Sequence, residues 1–232
     1  MQNTLITKDI FDFLKELEKN NNREWFTEHK SQFKTLESKV KEVYNNVLQA
    51  MGGHDEVEKL KMFRIYRDVR FSKDKTPYKL HFAGSFSRLG AALRGGYYIR
   101  LKPGESFIAA GFWEPNKDDL LRIRKEFELD SSEIRGIINA PTFKNIWGDI
   151  QGEELKTAPK GFDKENPNID LIRKKQFIFV RKFSDQEVYS PDFKNVINDS
   201  FKAIRPYFDL MSDILTTNLN GENLLDQSSQ FK

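Results

Sequence analysis

The sequence predicts an α+β fold, a single domain in which an antiparallel or mostly antiparallel sheet is packed by N-terminal and C-terminal helices. Three observations carry this expectation. Toward both ends of the chain, apolar residues recur at three- and four-residue spacing, as on the buried face of a helix. Around Phe63, Tyr97, Phe107 and Phe177 they alternate instead, as in half-buried strands. The segments also run helices, strands, a mixed stretch and helices again, whereas a doubly wound sheet alternates strand and helix throughout.

The elements follow in order. Thr7 is placed to cap a helix carrying Ile10, Phe13, Leu14 and Leu17, which Asn20-Asn21-Asn22 ends. A second helix starts near Arg23, with Phe26, Phe33, Leu36, Val40, Val43 and Val47 as its core stripe, and Gly52-Gly53 stops it. After Lys59 the period becomes two: Phe63, Ile65, Val69 and Phe71 read as a strand, and Leu80, Phe82 and Phe86 continue in that style. Residues 97–102 and 106–113 flank Pro103-Gly104-Glu105 and predict a β-hairpin, within a sheet of three or four strands. Asn116 caps the next helix and Ser131-Ser132 another. Residues 148–168, GDIQGEELKTAPKGFDKENPN, form a punctuated connection that predicts a functional loop or a small hairpin. A short helix over 170–174 leads into QFIFVRKF, a strand with apolar residues on both faces. Ser190-Pro191 opens a last helical region from Phe193 to Leu215, which Pro206 must kink or split. Residues 1–219 make up the expected domain, and 220–232 a frayed tail.

At 232 residues, 20 of them phenylalanine, the chain can bury a large core without a covalent staple. It has no cysteine, which removes disulfides and thiolate metal sites and suits a reducing cytosol. The opening MQNTLITKDI lacks the basic region and apolar run of a signal peptide. The longest uncharged apolar stretch, near Phe107, is far too short for a membrane span. These features predict a soluble cytoplasmic protein with no membrane partner.

Net charge is only +3, but positive charge is concentrated in two places. Residues 62–81 hold Arg64, Arg67, Arg70, Lys73, Lys75 and Lys79 against Asp68 and Asp74, a net +4. Residues 173–183 hold Arg173, Lys174, Lys175, Arg181 and Lys182 with no acid, a net +5. Read as a strand, the first segment puts Phe63, Ile65, Arg67, Val69 and Phe71 on one face and Arg64, Tyr66, Asp68 and Arg70 on the other. Arg67 would then be buried among apolar neighbours and need a carboxylate or an anionic ligand. The forked guanidinium grips carboxylate or phosphate through two bonds, and the lysines after Ser72 would converge on the same place. Arg64, Arg67, Arg70, Lys73, Lys75, Tyr78 and Lys79 are therefore the candidate anion-binding residues. Internal salt bridges to Asp68 and Asp74 account for the same residues equally well.

The pattern Arg64-x-x-Arg67-Asp68-x-Arg70-Phe71, followed by Asp74-Lys75-x-x-Tyr78, resembles the signature of a bacterial family known as domain of unknown function 2461. Supporting stretches are Asn22-Arg23-Glu24-Trp25-Phe26, Tyr97-Tyr98 to Pro103-Gly104, Pro159-Lys160-Gly161-Phe162 and Leu171-Ile172-Arg173. The resemblance implies a bacterial protein of about this length and brings no activity with it.

Other candidates are weaker. His29, His54 and His81 lack metal-ligand spacing, and His81, two residues after Lys79, is the best placed for proton transfer. Glu154-Leu155-Lys156 matches half of a metal-nuclease motif, a triplet that arises by chance in any charged chain. Gly95-Gly96 predicts a turn before a strand. Trp113 with Pro115, Tyr97 and Tyr98 could present an aromatic platform to bases or sugars, although cross-strand pairing explains them without a ligand. No nucleophile-elbow, phosphate-loop or dinucleotide fingerprint is present, so no cofactor or metal is expected. The leading expectation is a binding module for a phosphate-bearing small molecule or nucleic acid at residues 64–79. The alternatives are an enzyme acting on such a ligand, with His81, Asp68 or Asp74 moving protons, and an interaction module with a structural salt-bridge network.

Overall fold

The structure, a computed structural model, describes residues 5–225. Its centre is a five-stranded antiparallel sheet in the order β1 (Val57–Met62), β2 (Phe82–Arg88), β3 (Gly96–Leu101), β4 (Ser106–Phe112) and β5 (Phe177–Phe183). Helices α1 (Lys8–Lys19), α2 (Arg23–Glu28) and α3 (Lys30–Met51) precede it. Four more, α4 (Lys117–Leu129), α5 (Ser132–Asn139), α6 (Pro141–Trp147) and α7 (Ile169–Ile172), fill the excursion between β4 and β5. The chain closes with α8 (Asp185–Tyr189), α9 (Phe193–Ala203) and α10 (Arg205–Thr216). The α+β class and the antiparallel pairing are as the sequence predicts.

Alternation gives the sheet two unlike faces. One carries Leu60, Phe86, Tyr97, Ala110 and Phe179 in register, and the helices meet this side. Tyr97 lies 4.7 Å from Phe201 of α9, Phe179 lies 5.1 Å from Tyr207 of α10, and Phe86 lies 6.3 Å from Tyr44 of α3, measured between ring centres. All six rings are buried, each contributing roughly 1.5–3 kcal/mol of transfer free energy. Gly84 lets α3 approach, because a Cβ there would lie 2.8 Å from the Tyr44 ring.

Several elements depart from the sequence expectation. The second predicted helix is two, broken at His29 (φ −96°, ψ 8°), whose Nδ1 lies 2.8 Å from the Trp25 carbonyl. Residues 63–71 are not a strand of the sheet. They form one arm of an irregular ribbon that continues β1 and β2 outward, joined by Arg67 N–H to Pro77 O at 2.9 Å, Lys79 N–H to Ile65 O at 2.7 Å and a bridge between Tyr66 and Tyr78. Regular pairing fails because Pro77 has no N–H to donate, and Asp68 and Asp74 draw the amides of Arg70 and Thr76 into local turns. The expected apolar face decays along this arm: Ile65 is buried, Arg67 and Val69 are half-buried, and Phe71 is 97% exposed.

Helices α6 and α8 were not expected. The first buries Phe143 and Trp147, and the second starts with a reciprocal Ser184–Glu187 capping box. Pro206 does split the last helical region, sitting in the first turn of α10 where a missing N–H is tolerated. Residues 148–168 return along β5, with bridges from Gln151 to Ile178 and from Glu154 to Lys174. Of the predicted tail, residues 220–225 fold back through a Thr217–Asn223 bridge, and 226–232 lie outside the described residues. Among the described residues, no helix is long and apolar enough to cross a membrane.

Candidate functional site

The basic ribbon spends most of its charge on itself. Arg67 pairs with Asp74 and donates to the Thr76 carbonyl at 3.1 Å, and Arg70 pairs with Asp68 at 2.7 Å. Lys75 Nζ donates to the Val69 carbonyl at 2.9 Å and Lys79 Nζ to that of Arg64 at 3.0 Å, each bracing the backbone. Asp74 is held down to about 2, first by the Thr76 amide and then by Arg67. Tyr78 is buried, stacked 4.0 Å from Phe26, and exchanges two backbone bonds with the Asn21 side chain at 3.0 and 3.1 Å. That exchange ties the ribbon to the Asn22–Phe26 stretch, and a hollow of about 430 Å³ between Arg23, Lys75 and Thr76 marks the junction. The seven candidates therefore do not converge on one point. Arg67, Arg70 and Lys75 tie up the outer turn, whereas Arg64 and Lys79 stand at the ribbon's base, beside the sheet.

That base borders a groove of about 530 Å³ on the sheet face opposite the helices. Its floor is made of small residues: Gly96 faces Gly111 across β3 and β4, and Ser85 and Ala109 lie on either side of Tyr98. Gly111 adopts φ 137°, and a Cβ there would lie 2.2 Å from the Phe177 carbonyl oxygen, so no larger residue fits without moving β5. The walls are aromatic. Tyr98 lies 6.0 Å from Phe63 and 5.7 Å from Phe107, and Trp113, 59% exposed, stands beyond the end of β4. The aromatic platform expected from Trp113, Tyr97 and Tyr98 thus divides: Tyr98 and Trp113 line the groove, and the Tyr97 ring turns into the core.

Cations flank the aromatic walls. Lys61 Nζ stands 5.7 Å and Lys79 Nζ 5.9 Å from the centre of the Phe63 ring. The Arg100 guanidinium lies 5.5 Å over Phe107, and Glu105 approaches it at 3.5 Å. Arg100 Nε is buried without a hydrogen-bond partner, a donor a ligand could satisfy. Burial and the nearby Arg64 lower the pKa of Lys79. His81 is drawn down to about 4, by burial first and then by Arg100, Lys79 and Lys102, so its imidazole is neutral at pH 7.

Sequence reasoning missed a second charged cluster on the helix side. Asp55 and Arg88 have no exposed side-chain surface and pair at 2.8 Å. Arg205 reaches the same carboxylate at 2.8 Å, and the Tyr97 hydroxyl donates to it. Arg88 also donates to the Arg94 carbonyl at 2.9 Å and to Ser212 at 3.2 Å, so β2, β3 and α10 are clamped together. No local signal marks these residues, because their partners lie far away in the sequence. Of the other candidates, Glu154 is tied to Lys174 at 2.7 Å, and His29 stacks on Trp25 at 4.0 Å.

No curated protein and no solved structure matches this chain. A family model described as conserved hypothetical protein (DUF2461) matches residues 9–210, a span that takes in both the ribbon and all five strands, and the chain belongs to that family.

Proposed function

We propose that the protein is a binding module for an anionic ligand that carries a flat ring, such as a nucleotide, held on the open face of the sheet. The observation that carries this reading is the groove itself. Rings of Phe63, Tyr98, Phe107 and Trp113 surround a floor of small residues, with Lys61 and Lys79 beside Phe63 and Arg100 over Phe107. Aromatic side chains offer stacking surface to a planar ring, and the cations offer charge-assisted bonds to phosphate. The basic ribbon contributes through its base, Lys79 and Arg64, while its outer ion pairs hold its shape. A bacterial cytoplasm, with abundant nucleotides and no need of disulfides, is the location this reading implies.

A second reading, an enzyme acting on the same ligand, draws on His81. Its imidazole is neutral at pH 7, and a bound anion that offset Lys79, Arg100 and Lys102 would raise its low pKa toward the range a general base needs.

Trp113 supplies the assay. ADP titrated into the protein should change tryptophan fluorescence saturably, with affinity falling as salt rises. Adenosine and inorganic phosphate, each offering half of the recognition, should bind far more weakly. Arg100→Gln combined with Lys79→Gln should weaken ADP binding at least about tenfold, the scale of one or two charge-assisted bonds. Equal binding of ADP by parent and variant, or none by either, would reject the groove as the site.

A further inference from the structure

The cations of the open face are spread across it. Phe63, Ala83, Arg100, Phe107 and Lys182 lie side by side in one row that crosses all five strand positions, with Phe63 added to the ladder through its N–H to the Ala83 carbonyl at 2.9 Å. At about 4.8 Å between neighbouring strands, such a row is roughly 19 Å wide. Lys61 and Lys79 flank Phe63 at one end, Arg100 sits mid-row and Lys182 is exposed at the other end. The phosphates of one nucleotide reach one end of that row. A chain of phosphates reaches all of it.

The two basic clusters of the sequence also meet here. Lys79 comes from the first and Lys182 from the second, whereas Arg181 turns to the helix side and donates to Ser200 at 2.7 Å. Between the cations lie Tyr98 and Phe107, 5.7 Å apart, on adjacent strands. Both rings are half-buried, and rings on a sheet surface flanked by cations are how single-stranded nucleic acid is held: unpaired bases stack on the rings while the backbone tracks the charge. A duplex keeps its base faces stacked inside and offers none to this surface. Glu105, which approaches Arg100 at 3.5 Å and pairs with Lys102, is the carboxylate at the hairpin end of the face, so a strand would run along the row rather than over that turn.

We propose that this face binds single-stranded nucleic acid, a few nucleotides lying across the strands from Lys79 to Lys182. The proposal rests on the ring-and-anion reading of the groove and assigns its ligand class. The test is fluorescence anisotropy of the full chain with labelled oligouridylate and oligodeoxythymidylate of about twelve nucleotides, a duplex of equal length, and unlabelled ADP as competitor. Both single strands should bind at least about tenfold more tightly than ADP or the duplex, with a steep loss of affinity as salt rises. Lys182→Glu should weaken oligonucleotide binding about tenfold and ADP binding far less. Tyr98→Leu, which keeps apolar bulk and removes the stacking ring, should weaken both, with an unchanged melting curve as the control for folding. Preference for one of the two single strands would identify RNA or DNA as the source. If the oligonucleotides bind no more tightly than ADP, or Lys182→Glu changes nothing, the single-strand proposal fails while the groove reading stands. Equal binding of the duplex reduces the surface to a nonspecific electrostatic one and also overturns it. If neither oligonucleotide nor ADP binds, both readings fall.

Discussion

Two charged regions of this molecule are built on opposite plans. In the ribbon, partners are close in sequence and open to solvent: Arg70 and Asp68 are two residues apart, Arg67 and Asp74 seven, and three of these four side chains are more than half exposed. In the Asp55 cluster, the partners Arg88 and Tyr97 come from 33 and 42 residues away, and Asp55 and Arg88 are fully buried. Local pairing in water costs little to form and returns little, because solvent already serves the charges. A buried carboxylate must be met on every side, and here two guanidiniums, a hydroxyl and the Glu56 amide at 2.9 Å meet it. Charge density along the sequence therefore points to the region where charge matters least to stability.

The sharpest way to break this comparison is Arg88→Ala. It removes both guanidinium bonds to Asp55 and the donors to Arg94 and Ser212. A loss of about 3–5 kcal/mol is expected in a urea titration, the usual consequence of leaving a buried charge without its partner. Asp55→Ala should cost a similar amount, and the double variant much less than the two losses added, since each single change strands what the other leaves behind. Strict additivity would mean that Asp55 and Arg88 are not energetically a pair.

Much of the fold was legible because its signals are local. The Pro103-Gly104 hairpin, the Asn116 cap, whose side chain accepts from the amides of Asp118 and Asp119, and the Pro206 break all reside within a few residues of the feature they fix. The strand expected over 63–71 failed for the opposite reason. Its alternation was real, but sheet membership depends on the facing arm, where Pro77 and the Asp74 turn interrupt the ladder. The groove had a partial signal in Tyr98 and Trp113. What hid it was its floor: Gly96, Gly111, Ala109 and Ser85 come together only once the strands are in register. The Asp55 cluster left no trace, since nothing near Asp55 in the chain announces Arg88 or Arg205.

His81, partly buried beside the base of the ribbon, predicts an intermediate effect. Its folded pKa, about 4, lies below the ordinary value of 6.5, so the unfolded chain binds the proton more readily. The contribution is full above pH 6.5 and falls away as pH drops toward 4. Replacing His81 with Asn should flatten the stability profile in that window and leave it unchanged above pH 7. A bound polyanion would offset the positive neighbours and raise the His81 pKa, readable as a shift in its NMR titration when an oligonucleotide is added. A midpoint near 6.5 in the free protein would show that Lys79, Arg100 and burial do not act on this ring as described.

The smallest effect is expected where the sequence predicted a large one. Arg67, among alternating apolar residues, promised a buried ion pair whose loss would cost as much as that of Arg88. The carboxylate partner is there, but the Arg67 side chain is 26% exposed, and Asp74 is 58% exposed. Arg67→Ala should therefore shift the urea midpoint by a small fraction of the Arg88→Ala shift, and added salt should narrow even that difference. Its local effect is more specific. The Asp74 carboxyl, held to about 2, contributes to folding above its ordinary 3.8, and that contribution disappears as pH falls through about 2. Because the Thr76 amide is the first cause and Arg67 the second, Arg67→Ala should raise the Asp74 pKa only part of the way to 3.8. Carboxyl NMR titration of parent and variant measures this directly. An Arg67→Ala loss as large as that of Arg88→Ala would mean that the ribbon's outer pair is buried in solution. An Asp74 that titrates near 3.8 in the parent would mean that the pair does not form, returning Arg67 to the cations free to meet a ligand.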